Sequence, residues 1–414
     1  MSKERQDMKA QDPITQARFF FDIVCPYAYL ASTQIERISR ETRVKIEWVP
    51  MLLGGVFRSI GAPQIPAAAM TPPKARMNAL DLERWALRWG VPFSFSQHHP
   101  QRSVEAMRLL CITPQSMMPS VAARIFRLYW SEQGRLDQDA LEDIANDFDL
   151  LEEWRSRGDE AKETLFNHTA LAVSLGVFGA PALEVNGNIF WGQDRLDLAR
   201  IALGSSPPVW SVSQAPKGSF VEIFHDFSSP FSYLGCLHVE RLVVERGAQV
   251  KWRPILLGAL FKSIGAPNVP LFTMTDAKRK YMLKDLHDWA AYWEAPFCFP
   301  KSFPLRTVTA LRLAIIDPSL TPILYHAAWG KGDDIGDEQV LRELLTQSGL
   351  DPDLLLERAQ SSEIKEQLRE NTSAAETAGA FGAPSFVLHR PDQDPQLFWG
   401  QDRVELLCET LIAL

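Results

Sequence analysis

The chain has 414 residues, 46% of them hydrophobic, with a net charge of −8 and a sequence pI near 5.6. That length and apolar content allow two well-buried cores of ordinary domain size. The acidic balance leaves no basic footprint for nucleic acid, and no apolar run approaches the roughly 20 residues needed to span a bilayer, so nucleic-acid and membrane functions are set aside.

In chain order, residues 1–16 are polar without an apolar stretch and are expected to be a disordered tail, not a secretion signal, which makes a cytoplasmic location the default. Arg18 to Ile23 is rich in Phe and Ile, ends around an acidic residue, and is followed by Pro26 opening a helical pattern: strand, turn, helix. Lys45 to Pro50 alternates as a second strand and completes a βαβ unit. The next hundred or so residues carry apolar residues at three- and four-residue spacing, as in 74–89 and 104–111, and are predicted to be a helical insertion. Trp85 and Trp89, four residues apart, are expected in its core. Ala182 to Val185 and Ile189 to Trp191, joined through Asn186-Gly187-Asn188, read as a hairpin before a last helix starting at Asp194-Arg195.

All of this then happens again. At an offset of 204 residues, Trp48, Pro50, Gly54, Asp81, Trp85, Arg102 and Arg108 return without a gap as Trp252, Pro254, Gly258, Asp285, Trp289, Arg306 and Arg312. Gly176 to Pro181 returns as Gly379 to Pro384, and Trp191-Gly192-Gln193-Asp194-Arg195 as Trp399-Gly400-Gln401-Asp402-Arg403. A period this long makes each copy a whole domain. The predicted organisation is a tail at 1–16, a first domain at 17–204, a Gly/Ser/Pro linker at 205–218 and a second domain at 219–414.

Five cysteines, with neither CxxC nor His-Cys ligand spacing, give no disulfide framework and no metal site. Cys111, Cys236, Cys298 and Cys408 are expected to pack as small hydrophobes. Cys25 differs by position, since it precedes Pro26 where strand meets helix; its counterpart, 204 residues on, is Ser229. Helix N-terminal amides stabilise a thiolate there and can bring a cysteine from about 8.5 into the 3.5–7.5 range. A serine cannot ionise there, but it can donate a hydrogen bond to a bound sulfur; as a bland alternative it is only a helix cap before an N1 proline. Ala180-Pro181 and Ala383-Pro384 open sheet strands, which suits a cis bond that offers the alanine backbone to an extended ligand, or else an ordinary turn.

The D-x-x-S-P-x-S-Y-L start from Asp226 to Leu234, the G-x-F-G-x-P segment and the F-W-G-x-D-R run resemble the DsbA-like thioredoxin branch. Within it they are similar to 2-hydroxychromene-2-carboxylate isomerases and kappa-class glutathione transferases. The implied fold class is α/β, two thioredoxin-like domains each with a large helical insertion. The implied co-substrate is glutathione, and the implied activity is cis–trans isomerisation of a small aromatic-derived molecule, by reversible addition of the glutathione thiolate. On this resemblance Ser229 activates the thiol. Ala383 and Pro384 hold the cysteinyl unit, Gln401 and Asp402 hold the γ-glutamyl end, and Ala180, Pro181, Gln193 and Asp194 are the first-copy equivalents. The first copy has Cys25 in a C-P-Y-A run, which leaves two readings: a monothiol redox or transferase site, or a degenerate half in a glutathione-binding protein. Many family members carry Asn in the segment after the Pro-containing run, whereas this chain has Arg102 and Arg306. These either hold a substrate carboxylate or form surface pairs. Lys278, Lys280 and Asp285 are expected on a solvated helical face. Because family members are commonly homodimers, the fused copies are expected to form an internal pseudo-dimer.

Overall fold

The computed structural model describes residues 16–210 and 212–413. The predicted tail at 1–16 lies outside these, save for Gln16. That residue's N–H donates to Asn186 Oδ1 at 3.1 Å, and its carbonyl accepts from Asn186 N at 3.0 Å. The chain divides into two compact units, the main break falling between Pro208 and Val209.

In the first unit, β1 (Ala17–Phe21), α1 (Pro26–Thr42) and β2 (Glu47–Pro50) form the βαβ element. The insertion follows as α2 (Leu53–Ser59), α3 (Pro72–Trp89), α4 (Val104–Ile112), α5 (Met118–Trp130), α6 (Gln138–Asp147), α7 (Leu151–Ser156) and α8 (Gly158–Ser174). β3 (Ala182–Val185), β4 (Asn188–Trp191) and α9 (Leu196–Ala202) close the unit. The sheet order is β2-β1-β3-β4, with β1 parallel to β2 and antiparallel to β3. Phe19, Phe20 and Phe21 on central β1 are completely buried. A strand covered on both faces reads as such a continuous apolar run, not as an alternation.

The second unit repeats this plan. It comprises β5 (Phe220–His225), α10 (Pro230–Glu245), β6 (Gln249–Pro254), α11 (Leu257–Ser263), α12 (Asp276–Tyr292) and α13 (Val308–Ile316). α14 (Leu320–Tyr325) continues as a π-helical turn through Lys331. Then come α15 (Glu338–Gln347), α16 (Pro352–Ala359), α17 (Ser362–Thr377), β7 (Ser385–His389), β8 (Gln396–Trp399) and α18 (Val404–Ile412), with sheet order β6-β5-β7-β8.

Two tryptophans fix the insertion to the segment that matters for chemistry. Trp130 Nε1 donates to Ile23 O, and Trp329 Nε1 donates to Phe227 O, both at 2.7 Å. Each accepting carbonyl lies two residues before Cys25 or Ser229. Each tryptophan is fully buried, so its N–H has to find a partner inside the protein.

Candidate active site

Cys25 and Ser229 are the N-cap residues of α1 and α10, in extended conformation at φ −94° and −101°. Pro26 and Pro230 take the first helical position, where a missing N–H costs nothing. Ser229 Oγ accepts from Ser232 N at 3.1 Å and donates to Ala383 O at 2.9 Å. Cys25 makes no cap bond, and its thiol lies 3.1 Å from Ala180 O. The Ala180-Pro181 and Ala383-Pro384 bonds are cis. In both units the structure therefore brings the N-cap residue and the alanine before the proline into contact.

The glutamine-aspartate turn joins the same place. Gly192 N donates to Pro181 O at 2.9 Å, and Gly400 N donates to Pro384 O at 3.0 Å. Both glycines sit at φ 105°. At Gly400 an added Cβ would lie 2.6 Å from Asp402 Oδ1, so the turn folds the carboxylate over a position that only glycine can occupy. Gln193 and Gln401 are buried in short 3₁₀ turns, and Asp194 and Asp402 pair with Arg195 and Arg403 at 3.0 Å. Gln193 Nε2 has no hydrogen-bond partner among the described residues.

The DSBA-like thioredoxin domain model matches residues 16–204 and again residues 220–411. The chain belongs to this family. It is a tandem DSBA-like protein, and its relatives each match about half of it. A 2-hydroxychromene-2-carboxylate isomerase of Sphingobium xenophagum is 34% identical over 192 residues, covering 45% of this chain and 95% of the relative. Glutathione S-transferase kappa 1 of Homo sapiens is 31% identical over 207 residues, covering 46% and 90%. A solved 2-hydroxychromene-2-carboxylate isomerase structure matches with a TM-score of 0.42 at 23% identity, covering 46% and 93%.

Electrostatics separates the two DSBA-like sites. Burial pushes the Cys25 thiol up to about 12, against the pull of the Ala28 and Tyr27 amides; the neighbouring Asp22 raises it further. The helix end expected to acidify this thiol is present, but desolvation outweighs it, because the side chain is closed off from water. Beneath each N-cap lies a buried aspartate that the motif reading left without a role. Asp226 accepts from Ser228 N at 2.9 Å, Leu257 N at 2.8 Å and Thr307 Oγ1 at 2.7 Å. Asp22 accepts from Val24 N at 3.2 Å and Leu53 N at 2.8 Å. Burial raises both carboxyls above the ordinary range, partly offset by these donors. Their signal in the sequence was the acidic residue three positions before Cys25 and Ser229 in both copies.

Arg102 and Arg306 are exposed and make no ion pair among the described residues, each next in sequence to a buried hydroxyl, Ser103 or Thr307. Two expectations are corrected. Asp285 is 1% exposed and accepts from Tyr281 OH at 3.3 Å, so α12 turns it inward and not to solvent. Lys278 is half-buried and Lys280 exposed. Cys298 is exposed, whereas Cys236 and Cys408 are buried. Trp85 and Trp289 are buried; Trp89 and Trp293 are half-buried. No group of ligating side chains for a metal ion occurs among the described residues.

Proposed function

We propose that this protein is a glutathione-dependent cis–trans isomerase of the 2-hydroxychromene-2-carboxylate isomerase type, with the second domain as its working site. The observation that carries this reading is Ser229 Oγ held between the Ser232 amide and Ala383 O. A hydroxyl that accepts from an amide is polarised as a donor, and a bound sulfur at the helix mouth would compete with Ala383 O for its proton. The residues present fit glutathione. The Gly400 turn, whose amide donates to Pro384 O, folds the Asp402 carboxylate over Gly400, and in the first domain Gln193 Nε2 is a buried donor with no partner among the described residues. In this reading Ala383 and Pro384 hold the cysteinyl unit, and Gln401 and Asp402 the γ-glutamyl end. Ala180, Pro181, Gln193 and Asp194 do the same in the first domain.

When bound, glutathione would supply a thiolate whose addition to a conjugated carbon converts the double bond to a single bond that can rotate, and whose expulsion restores it, with no net redox change. Ser229 stabilises the negative sulfur, and in this reading Arg306, with Arg102 in the first domain, takes a substrate carboxylate. The substrate is a small aromatic-derived molecule. The cytoplasm, where glutathione keeps thiols reduced, suits both this chemistry and five free cysteines.

A second reading uses Cys25 as a monothiol transferase or oxidoreductase site. It is favoured by the contact of Cys25 with Ala180 O, the same contact that Ser229 makes with Ala383 O. Replacing Ser229 and Cys25 singly by Ala separates the two. Ser229→Ala is expected to lower isomerisation of a 2-hydroxychromene-2-carboxylate by about 100-fold, on the scale of removing one oxyanion donor, while Cys25→Ala leaves it within twofold. Loss confined to Cys25→Ala, with loss of glutathione–disulfide exchange, would reverse the assignment. Glutathione binding by calorimetry without either activity would leave a binding protein.

A further inference from the structure

The two copies differ in a second way, in the insertion. In the second domain Phe272, in the short 3₁₀ turn Pro270–Thr273, is 62% exposed, and its ring lies 6.4 Å from that of Phe303 at 84°. Phe303 is half-buried and packs in turn on Phe299 at 5.0 Å and on Trp329 at 6.3 Å. At the 204-residue offset the first domain has Ala68 and His99 in place of Phe272 and Phe303, and keeps a phenyl ring only at Phe95, in place of Phe299. His99 is committed to a polar neighbour, since its Nδ1 lies 3.0 Å from Tyr129 OH. The copy that carries serine thus presents a wall of three phenyl rings, and the copy that carries cysteine does not.

Hydrogen bonds root this wall on the turn that holds Ser229. Thr307, four residues past Phe303, donates through Oγ1 to Asp226 Oδ1 at 2.7 Å. Leu257 N donates to the other oxygen of the same carboxylate at 2.8 Å. The segment that leads on to Phe272 folds back against this helix start, where a Cβ on Gly258 would meet Asn268 Oδ1 at 3.0 Å. Trp329 Nε1 donates to Phe227 O, and Ser229 N closes the turn onto Asp226 O at 3.1 Å. Three stretches of chain that meet at Asp226 and Phe227 therefore meet a second time at the phenyl rings, so the wall and Ser229 stand on one frame.

Rings packed edge to face leave a face uncovered, and a planar aromatic group is its complement. The patch is too small for a protein partner: each phenyl side chain has about 150–250 Å² to bury and two of the three are already half-buried, whereas protein interfaces bury about 800 Å² on each side. We infer that Phe272, Phe303 and Phe299 form the subsite that takes the aromatic ring of an electrophile carried on the sulfur of glutathione, and that this ring selectivity belongs to the second domain alone.

This inference rests on the glutathione site proposed at Ser229. The probes are S-benzylglutathione, which carries a ring one carbon from the sulfur, and S-methylglutathione, which lacks it; the binding of each to the full chain is measured by calorimetry. All substitutions lie in the second domain, so the first domain contributes equally to every chain compared. We expect the benzyl compound to bind the second domain roughly tenfold more tightly than the methyl compound. In the double variant Phe272→Ala/Phe303→His, which carries the first domain's residues, that preference is expected to fall to within twofold. Phe272→Tyr, which keeps a ring, is expected to retain it. A preference absent from the unsubstituted chain, or undiminished in the double variant, would overturn the ring subsite and leave the Ser229 reading intact. Failure of the unsubstituted chain to bind glutathione or either probe would overturn both. If the double variant fails to fold, Phe272→Ala alone, at an exposed position, is read by the same pair of probes, and an unchanged preference there overturns the inference.

Discussion

One backbone position holds sulfur in one copy and oxygen in the other, and the surroundings treat them differently. Ser229 caps its helix through Ser232 N, whereas Cys25 makes no cap bond and is kept protonated by burial. The position was legible because cysteine or serine immediately before a helix-opening proline is a local pattern. The protonation was not, because desolvation depends on what distant segments lay over the thiol. Cys298 is exposed, so the two cysteines contrast. Iodoacetamide at mildly alkaline pH is expected to alkylate Cys298 in the folded chain at least tenfold faster than Cys25, as read by peptide mass spectrometry. Faster labelling of Cys25 would mean that the helix end governs it after all.

Among the elements, strands and the βαβ crossover followed from sequence pattern, and so did the two insertion helices whose apolar spacing is regular. The π-helical turn after α14 has no such signature, and neither does the inward turn of Asp285, because an amphipathic pattern shows that a helix has a buried face but not which polar residue is drawn into it. The Thr307–Asp226 and Trp329–Phe227 bonds join residues 81 and 102 apart in the chain, and only the fold brings them together. The docking of β5 on α14 through His225, whose Nδ1 lies 3.0 Å from Tyr325 OH, carries a pH consequence. A folded value of about 3, which burial holds below the ordinary 6.5, means that the unfolded chain binds the proton first. Stability from His225 is thus complete above about pH 6.5 and is lost as pH falls towards 3. Asp22 and Asp226, raised by burial, act in the opposite sense at acid pH, so the comparison must be made between variants. The wild-type advantage over His225→Phe in urea unfolding is expected to shrink by roughly 1.4 kcal/mol per pH unit below 6.5. A difference independent of pH would show that the imidazole is already charged in the fold or reaches water.

At the scale of the whole molecule, duplication was the most legible feature, since an ungapped register needs no structural knowledge to see. What it concealed is how far the copies have diverged in packing. In the second domain Gly235 of α10 lies so close to the cis-proline loop that a Cβ there would fall 2.9 Å from Pro384 Cγ and 3.2 Å from Gln401 Cα. The same register puts Ala31 in the first domain, completely buried and accommodated. Gly235→Ala is expected to cost about 1–3 kcal/mol in chemical denaturation, because the obstacle includes backbone and cannot rotate away. A chimera that carries 26–41 in place of 230–245 would import that methyl together with Ala28. Descendants of one ancestral segment, the halves are no longer interchangeable at this helix, because a methyl that one copy accommodates meets backbone in the other.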